Sequence, residues 1–454
     1  MSLLTPLLRT HALTDFFSDE QTVQGMLDFE AALATAQAQC GVIPTSAVKP
    51  IVDACRAENL DFLALANAAA NAGNLAIPLV KQLTQCVKRV DAEASRYVHW
   101  GATSQDAIDT GMVLQLRKAL AETDQRLQRV MQALAGQIAL HRQTLMPGRT
   151  WMQHALPITF GLKLAGTLDA LLRWQQRLAE MRPRLLALQF GGAAGTLASL
   201  KSQGPEVAQR LADTLDLQLP DTPWHSQRDR VIEVASWYAG VGGTLGKLAN
   251  DFALLMQTEV AEVSEPIAEG RGGSSAMPHK RNPVTCAAVL AAVQRMPGLM
   301  ATLYAAQIQQ HERALGGWQA EWETLPQLIV LVGGVLENSE VLLRGMQVNT
   351  QKMRDDLDIT HGLIMAESVT QALAVFIGKA DAHHVVEKIC HRAIALDCPL
   401  QPLLENDPLV SQHLSAAQLT PLLDPANAIG SSEHFVRQVL ARYQELGNEN
   451  PLSP

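Results

Sequence analysis

Apolar residues recur at the spacing of an α-helix along most of this chain. One such run extends from about Asp109 to Gln143, and another extends from about Asp229 to Ser264. Helices of more than about 30 residues span roughly 50 Å. Lengths of this kind are typical of a helical bundle rather than of an ordinary small domain. The chain has no series of alternating, β-branched strand runs, so the pattern predicts an all-α fold.

Shorter helical runs flank the two long ones. Ser18 to Gln21 has the spacing of a capping box and predicts the start of an N-terminal helix. After Gln351 the helical runs are shorter and turn residues are more frequent. We therefore predict three domains: an N-terminal helical domain at residues 1–108, a central long-helix bundle at 109–350 and a small C-terminal helical domain at 351–454. Further helices are predicted from Ile158 to Met181, from Val284 to His311 and from Leu325 to Met346.

The composition indicates a large core and gives no sign of a nucleic-acid partner. Apolar residues make up 47% of the 454 residues, and charged residues make up 18%. A low charged fraction is expected where much surface is buried between subunits. The net charge is -9, from 36 basic and 45 acidic residues, and no basic stripe stands out. Nucleic acid is therefore not an expected partner, and any anion must be bound by a few placed cations.

The cysteines and the apolar segments predict a cytoplasmic protein. Six cysteines are scattered without a CxxC pair, as expected for reduced thiols. No segment reaches the roughly 18 apolar residues that span a bilayer, so no membrane association is expected. The start of the chain, Met1 to Asp15, lacks the apolar core of a signal peptide. No metal site is expected, because no metal-binding motif accompanies the C-terminal histidines His383, His384 and His391.

Two glycine-rich stretches resemble nucleotide-binding loops but lack their spacing. Gly191 to Thr196 has no G-x-G-x-x-G pattern and follows a helical run instead of a strand. Gly240 to Lys247 is followed by Leu248, where a phosphate-binding loop has Ser or Thr. We expect these glycines to allow helices to approach each other closely. For the first stretch, a turn beside a functional site stays open as a second interpretation.

Three polar segments carry the candidate chemistry. The first, Val98 to Asp106, precedes a long helix, so that Thr103 and Ser104 can cap that helix. The free N–H groups and the positive dipole end of a helix N-terminus also suit a carboxylate ligand. Capping and ligand binding are compatible, and both interpretations stay open from this segment alone.

The second polar segment, Gly148 to Pro157, joins two long helical runs. We expect Arg149 in a tight turn between these helices, where its planar guanidinium can bind a carboxylate through two parallel hydrogen bonds. The alternative for this segment is an exposed Arg149 beside a packed Trp151.

The third polar segment is the loop Gly273 to Pro283, with the sequence GSSAMPHKRNP. Glycines at its start make the backbone permissive, and such a loop exposes several N–H groups to an oxyanion. Each donor of this kind contributes about 3 kcal/mol to a transition state. Lys280 and Arg281 add positive charge, which would lower the pKa of a nearby hydroxyl and stabilise an enolate-like dianion.

The three segments together resemble the three active-site regions of the fumarase/aspartase superfamily, in the expected order and spacing. The resemblance covers nearly the whole chain, including the long central helices. It implies a three-domain helical subunit whose central helices assemble a twenty-helix core in a homotetramer. It also implies active sites built from three different subunits. Members form or break a C–X bond β to a carboxylate, without a metal or an organic cofactor.

The resemblance also implies roles for individual residues. Ser274 would be the base that handles the α-proton of the substrate. Lys280 and Asn282 would help to hold an aci-carboxylate intermediate. Thr103, Ser104 and Arg149 would lie at substrate carboxylates. Beside these implied residues, Arg281 and Arg313 are candidate cations for binding further carboxylates.

Trp151 departs from the pattern of the superfamily. In most members a His follows the Thr of this segment, and that His acts on the leaving group or orients the group that does. Here Thr150 is followed by Trp151, and His154 lies further along the chain. General acid assistance contributes about 10²–10⁴ in rate, so expulsion of hydroxide or an amine would lose that factor.

A carboxylate, in contrast, leaves without a proton and attacks without a base. The departure at Trp151 therefore favours an internal lactonisation, in which only the α-carbon proton needs an enzyme group. Trp151 would supply a rigid apolar wall that folds a flexible acid onto itself. The resemblance thus extends to the lactonising branch of the superfamily, which serves aromatic degradation, and implies a small tricarboxylate substrate.

Two other functions stay open. His99 to Ser104 and His311 to Arg313 resemble the adenylosuccinate lyase branch, although Trp151 disfavours expulsion of an amine. A non-catalytic structural role, as some superfamily members have in eye lenses, is disfavoured by the intact Ser274 loop. His99 and His154 are both candidates for the donor that replaces the missing His. The alternative for each is a hydrogen-bonded supporting role.

Overall fold

The structure is a computed structural model that describes residues 3–266, 270, 272–273 and 276–449. Helices dominate these residues, as the sequence predicts, and the strands are few and short. The helices are α1 (His11–Phe16), α2 (Asp19–Gln39), α3 (Val48–Ala54), α4 (Phe62–Ala72), α5 (Ala76–Val90), α6 (Ser104–Leu140), α7 (Phe160–Leu185), α8 (Gly204–Leu215), α9 (Asp229–Leu255), α10 (Val284–Ala306), α11 (Gly317–Gly345), α12 (Thr350–Asp356), α13 (Ala366–Ile377), α14 (Lys379–Leu396), α15 (Leu400–Glu405), α16 (Pro408–His413), α17 (Ala416–Leu422) and α18 (Ser432–Glu449). The strands are β1 (Leu145–Thr150), β2 (Gln153–Thr159), β3 (Val263–Ser264) and β4 (Gln347–Val348).

The long predicted helices are confirmed, and the structure corrects where several of them begin and end. The helix α6 begins at Ser104 instead of Asp109, and α9 ends at Leu255 instead of Ser264. The chain leaves the helical path after α9 because its next regular element, β3, pairs with β4. Two further corrections are an end at Ala306 instead of His311 for α10 and a start at Gly317 instead of Leu325 for α11.

Contacts within the chain divide it into two compact units. Unit 1 comprises Met1–Gln128, Arg173–Gly246 and Ala288–Glu337, and unit 2 comprises Arg129–Leu172, Lys247–Ala287 and Asn338–Pro454. The boundaries between the units fall inside α6, α7, α9, α10 and α11. The division of the chain into three domains stays a prediction.

The core of unit 1 is built around α2. The Ser18 hydroxyl accepts the Gln21 N–H at 3.3 Å, which confirms the predicted start of this helix. Burial of one Leu or Phe side chain contributes about 1.5–3 kcal/mol, so the apolar face of α2 is a major source of stability. The buried cluster includes Met26, Leu27, Phe29 and Leu33 from α2, Leu79 and Leu83 from α5, and Val207 and Leu211 from α8.

Unit 2 contains a β-hairpin and a small C-terminal helical core. The strands β1 and β2 pair antiparallel, as do β3 and β4. The helices α13 to α17 bury their own apolar cluster, as expected for the last part of the sequence. That cluster includes Val369, Leu373, Val386, Ile389, Leu400, Leu404, Val410 and Leu419.

Glycines in α9 allow other helices of unit 1 to approach closely, as the sequence predicts. A Cβ atom at Gly240 would lie 2.3 Å from Trp174 Cη2, and one at Gly242 would lie 2.5 Å from Met296 Sδ. Gly243, in contrast, has no atom within 4 Å of such a position. The second glycine-rich stretch is therefore a packing segment of a helix and not a phosphate-binding loop.

One described helix, α10, is long and apolar enough to cross a membrane by length and composition. Arg295 interrupts its apolar sequence, and 33% of its most apolar window is buried. Core helices of globular proteins meet the same criteria, so this finding is weak evidence for a membrane span.

Replacing Gly240 with Ala tests the helix packing. The added methyl group would overlap the Trp174 ring, whose Nε1–H donates to Thr244 Oγ1 at 3.0 Å. Overpacking of this kind costs about 1–3 kcal/mol, and we expect Gly240→Ala to lower the free energy of unfolding by that amount. The matched control is Gly243→Ala, which should be neutral or stabilise by up to about 1 kcal/mol. Denaturant unfolding measures both variants, and equal stabilities would contradict the packing argument.

Candidate active site

A buried carboxylate organises the first polar segment. Asp106 is the third residue of α6, and its side chain is 0% exposed. Its Oδ1 accepts the Gly191 N–H at 3.0 Å and a hydrogen bond from His225 Nε2 at 2.7 Å. Its Oδ2 accepts the Gly192 N–H at 2.9 Å and the Thr103 N–H at 3.0 Å. Three separate segments of unit 1 therefore converge on one side chain.

The first glycine-rich stretch is part of this arrangement. Gly192 has a φ of +70°, which favours glycine. A Cβ atom at Gly191 would lie 2.8 Å from His225 Cε1, so a larger residue there would displace the imidazole. The structure thus corrects the expectation of helix packing for Gly191 to Thr196. The stretch is a turn whose main-chain N–H groups contact the first polar segment, and its position beside a functional site stays a prediction.

Arg313 binds the same segment from a different part of unit 1. Its Nη1 donates to Thr103 Oγ1 at 2.9 Å, and its Nη2 donates to the Ala193 carbonyl at 3.0 Å. Thr103, the residue before α6, is therefore held by its N–H through Asp106 and by its hydroxyl through Arg313. The structure brings together Thr103 and Arg313, which are 210 residues apart in sequence.

A second buried charge network lies one turn further along α6. Arg228 is 1% exposed and contacts Asp109 at 2.7 Å and Glu321 at 2.6 Å. Burial lowers the pKa of Arg228, but the two carboxylates outweigh burial and raise that pKa overall. Trp318 Nε1–H donates to Asp109 Oδ1 at 2.9 Å. Removing one member of such a network costs about 3–5 kcal/mol, so the network holds the segment that carries His225 in place.

His99, the second residue of the first segment, has a backbone conformation that is rare for a residue with a side chain. Its φ is +58°. Its Nδ1 lies 2.5 Å from Glu30 Oε1, and the Glu30 side chain is 1% exposed. Burial lowers the pKa of His99, but the carboxylates of Glu30 and Asp106 outweigh burial, and the pKa is raised above its ordinary value. His99 therefore keeps its second proton to a higher pH than an ordinary histidine.

The second polar segment is a β-hairpin, which corrects the predicted tight turn between two helices. Arg149 lies in β1, and its cross-strand partner is His154 in β2. Trp151 and Met152 form the turn, with φ values of +53° and +65°. Hairpin turns with two positive φ values favour Asn and Gly, so the sequence at the tip carries no hairpin signal.

Arg149 forms a bidentate ion pair with a buried carboxylate of unit 2. Its Nη1 donates to Glu262 Oε2 at 2.9 Å, and its Nη2 donates to Glu262 Oε1 at 2.7 Å. The Glu262 side chain is 0% exposed. Burial raises the pKa of Glu262, Arg149 opposes that effect, and the neighbouring Asp356 adds to it. The pair ties the hairpin to the segment that leads into β3.

The other predicted residues of the hairpin have contrasting environments. Burial, and next the positive charge of Arg149, lower the pKa of His154. The His154 Nδ1 is buried without a hydrogen-bond partner among the residues that the structure describes. Trp151, at the tip, is 98% exposed, and Met152 is 69% exposed. The role of Trp151 as an apolar wall stays a prediction.

The ends of the third polar segment are bonded to each other. Gly272, with a φ of +67°, accepts the Asn282 N–H at 2.8 Å through its carbonyl. A Cβ atom at Gly272 would lie 2.8 Å from the Asn282 carbonyl oxygen, so only glycine fits. Gly273 and Arg281 form a β-bridge beside this contact. Ser274, the predicted base, lies outside the described residues.

A cavity of about 190 Å³ lies at the base of this loop. Lys280 and Arg281 supply positive charge to it, and Glu265 supplies a buried carboxylate. Glu265 accepts the N–H groups of Thr285 at 3.0 Å and Cys286 at 2.8 Å, which fixes the first turn of α10. The described lining residues are Met256, Glu265, Pro266, Gly272, Gly273, Pro278, Lys280, Arg281 and Asn282.

Comparison with known proteins assigns the family. A family model described as "Lyase" matches residues 8–298, and one described as "Adenylosuccinate lyase C-terminus" matches residues 362–439. The chain belongs to the fumarase/aspartase superfamily of lyases. It is 56% identical to the 3-carboxy-cis,cis-muconate cycloisomerase of Pseudomonas aeruginosa, over 95% of this chain and 94% of that protein. It is 51% identical to the protein of the same name from Bradyrhizobium diazoefficiens, over 96% of this chain and 97% of that protein.

A solved structure of the superfamily has the same fold. The crystal structure of 3-carboxy-cis,cis-muconate lactonizing enzyme from Pseudomonas putida matches with a TM-score of 0.92 and 50% sequence identity. The match covers 98% of this chain and 99% of that chain. The all-helical fold predicted from the sequence is therefore shared with a superfamily member of known structure.

The superfamily segments identified from the sequence lie in both units. Unit 1 carries His99, Thr103, Ser104 and Arg313, and unit 2 carries the hairpin and the Lys280 loop. The catalytic and binding roles of all of these residues stay predictions.

Sequence reasoning missed the buried groups that hold these segments. Asp106 had one local signal, since it follows Thr103 at capping-box spacing. His225 and Glu262 had none, because their partners are 119 and 113 residues away in sequence.

Replacing Asp106 with Asn tests its structural role. The Asn amide keeps one acceptor oxygen. Its NH₂ group, however, would face groups that now donate hydrogen bonds to the Asp106 carboxylate. Each buried donor left without a partner costs about 1–3 kcal/mol, so we expect the free energy of unfolding to fall by at least about 2 kcal/mol. The control is Asp53→Asn, because Asp53 is 57% exposed and should change stability by less than about 0.5 kcal/mol. Similar stabilities for the two variants would contradict the role of Asp106.

Replacing Arg149 with Lys tests the anchoring of the hairpin. A Lys ammonium is a single point charge and cannot make the two parallel bonds to Glu262. The loss of one charge-assisted bond costs about 1.5–3 kcal/mol, and we expect that decrease in denaturant unfolding. The matched control is Arg354→Lys, whose partner Asp358 is 69% exposed and whose effect should stay below about 0.5 kcal/mol. A neutral Arg149→Lys variant would mean that the pair does not anchor the hairpin.

Proposed function

We propose that this chain catalyses the reversible lactonisation of 3-carboxy-cis,cis-muconate to carboxymuconolactone. The observation that carries the proposal is Trp151, which stands where most superfamily members have a catalytic His. The names of the relatives from Pseudomonas aeruginosa and Bradyrhizobium diazoefficiens support the same reaction. Expulsion of an amine, as in the adenylosuccinate lyase branch, needs a general acid to protonate the leaving group, and the Trp151 side chain cannot serve as one.

The chemistry of lactonisation fits a site without that acid. A carboxylate of the substrate attacks the carbon β to another carboxylate, so that one C–O bond forms and one proton is added at the α carbon. In the reverse direction the C–O bond breaks, the carboxylate leaves as a stable anion and the α-proton is removed. Only the α-proton needs an enzyme group in either direction.

The loop around Lys280 has the groups for that proton and for the charge that develops. We assign Ser274 as the base for the α-proton, on its position in the superfamily loop. Lys280 and Arg281, whose side chains are exposed at the cavity, lower the pKa of a nearby hydroxyl and attract the substrate's carboxylates. Asn282 and the loop N–H groups hold the aci-carboxylate, at about 3 kcal/mol for each donor.

In the proposed assembly, the first segment and the hairpin come from other subunits of a homotetramer and complete the substrate site. The N-terminus of α6, with Thr103 and Ser104, suits a substrate carboxylate because its dipole end is positive. Arg149 already binds Glu262 through both terminal nitrogens, so it adds positive charge near His154 and holds the hairpin. Trp151 excludes water and restricts the conformations of the acid.

We also propose a cytoplasmic homotetramer in which three subunits contribute to each site. The exposed apolar pair at the hairpin tip, Trp151 and Met152, supports this arrangement. Neighbouring exposed apolar side chains mark an interaction site when they form part of a larger contiguous patch. Size-exclusion chromatography with light scattering measures the assembly directly, and a monomeric species would contradict it.

A panel of substrates tests the proposed reaction. The purified protein is assayed with 3-carboxymuconate beside fumarate, argininosuccinate and adenylosuccinate, each followed by its ultraviolet absorbance. We expect turnover of 3-carboxymuconate in preference to the others, because only that reaction proceeds without a general acid at position 151. Preferential cleavage of adenylosuccinate would overturn the assignment.

Two substitutions test the roles of Ser274 and Lys280. Removing a general base typically lowers the rate by about 10²–10⁴, and we expect a loss of that size in kcat for Ser274→Ala. Lys280→Ala should lower kcat by about 10²–10³, as does the loss of an oxyanion donor. The control is Lys379→Ala, a change of an exposed residue at the start of α14. Near-normal turnover by both Ser274→Ala and Lys280→Ala would show that the α-proton is handled elsewhere.

A further inference from the structure

The pair formed by Glu30 and His99 is an ionic contact inside unit 1 that the reaction so far does not use. The two residues are 69 positions apart, and their contact of 2.5 Å joins α2 to the first polar segment. The His99 side chain is 17% exposed and that of Glu30 is 1% exposed. The Glu30 carboxylate therefore lies in the core of unit 1, and the His99 imidazole lies closer to its surface.

Glu30 is an acidic residue whose neighbours on the same face of α2 are apolar. Met26, Leu27 and Leu33 lie one turn before or after it on α2, and each is at most 1% exposed. The Glu30 Oε2 is buried and has no hydrogen-bond partner in the described part of the chain. A buried carboxylate is costly unless it is paired, so its pairing with His99 indicates a requirement for that charge.

The same face of α2 binds the backbone next to His99. Gln37 follows Glu30 by two helical turns, is 0% exposed, and donates from Nε2 to the Trp100 carbonyl at 2.5 Å. His99 itself has a φ of +58°, a conformation that costs energy for a residue with a Cβ atom. Such strain persists only where surrounding contacts impose it, and it occurs often at functional sites. Here α2 supplies those contacts, one to the side chain and one to the adjacent carbonyl.

The charges around the imidazole all favour its protonated form. The charged groups that act on His99, among the described residues, are Glu30 on α2 and Asp106 on α6, and both are carboxylates. Burial lowers the pKa of His99, but these carboxylates raise it overall. The imidazolium is thus present below the ordinary pKa and is lost only as the pH rises through the raised one. With Nδ1–H donating to Glu30, Nε2–H is left as a charged donor.

We propose that Glu30 is a positioning residue for the reaction, which fixes the orientation and the positive charge of His99 so that Nε2–H donates to a carboxylate of the substrate. This inference rests on the proposed function, because it assigns one of the substrate's carboxylates to His99. His99 lies in the segment that also holds Thr103, so a carboxylate at the N-terminus of α6 is the natural recipient. Glu30 does not touch the substrate and acts only through the imidazole.

The test is a set of variants that distinguish the effect of the Glu30 charge from the effect of its size. Glu30→Gln keeps the size and one acceptor oxygen but removes the charge, and His99→Gln removes the imidazole. The double variant measures whether the two residues act as one unit. The matched control on α2 is Thr35→Val, because the Thr35 hydroxyl bonds only to the Ala31 carbonyl of its own helix, at 2.8 Å, among the contacts described.

The expected result is a change in KM that depends on pH. Without Glu30, the main group that raises the pKa of His99 is lost, so the imidazole gives up its second proton at a lower pH than in the wild type. In the pH range where the wild-type imidazole is charged and that of the variant is neutral, we expect Glu30→Gln to raise KM for 3-carboxymuconate about tenfold, with kcat changed less than about threefold. The ratio of variant to wild-type KM should shrink as the pH falls and the imidazole of the variant regains its proton. In the His99→Gln background, Glu30→Gln should have no further effect.

A purely structural role for Glu30 predicts a different pattern. It would change kcat and KM at every pH, would not be rescued at low pH, and would add to the effect of His99→Gln. Either that pattern, or an unchanged KM in a folded Glu30→Gln variant, overturns the proposal. Thr35→Val should match the wild type in both constants.

A measurement without substrate separates this proposal from the proposed function. Histidines labelled with ¹³C at Cε1 are titrated by NMR in the wild-type protein, and the His99 signal is identified by its absence in His99→Gln. A His99 pKa at or below the ordinary value overturns the proposal, even if Glu30→Gln does not fold. A raised pKa in a protein that does not turn over 3-carboxymuconate would support the pairing, while the proposed function, and with it the recipient carboxylate, would be wrong.

Discussion

The geometry of the first polar segment depends on the need to satisfy one buried carboxylate. Asp106 is fully buried, and a charge in that position is stable only if donors surround it. Four donors do so, and three of them are main-chain N–H groups. Because main-chain groups cannot move without moving the chain, the carboxylate sets the path of the glycine turn and the start of α6. The position of Thr103, and through it the contact with Arg313, follows from that arrangement.

In unit 2, buried carboxylates with hydrogen-bond donors lie on both sides of the two-residue strand β3. Glu262 precedes β3 and binds Arg149 of the hairpin, and Glu265 follows β3 and binds the first N–H groups of α10. Both carboxylates are buried. One carboxylate therefore joins the hairpin to the start of β3, and another joins the end of β3 to the first turn of α10, which follows the Lys280 loop. Residues with exposed side chains, such as Lys280 and Trp151, are carried on parts of the chain that these buried contacts hold in place.

The sequence allowed the fold class, most helices and the three polar segments to be predicted. Helical periodicity depends on local spacing, so α6, α9 and the cap at Ser18 were recognisable without knowledge of the fold. The helix ends were less predictable, since α9 stops where β3 begins to pair with β4, a contact between distant residues. The hairpin was missed for a similar reason. Its tip has bulky residues at positive φ, and its pairing is maintained by the strand ladder rather than by turn residues.

The sequence by itself determined which chemical groups are present: the donor-rich loop with Lys280, the helix start at Thr103 and the Trp that follows Thr150. Only the tertiary structure decided which groups hold them. Asp106 with His225, Arg149 with Glu262 and His99 with Glu30 each join residues from 69 to 119 positions apart. A carboxylate has no periodicity or turn preference that identifies its partner in advance. The fold determines the partner, because a buried charge is stable only beside a donor that the tertiary structure places next to it.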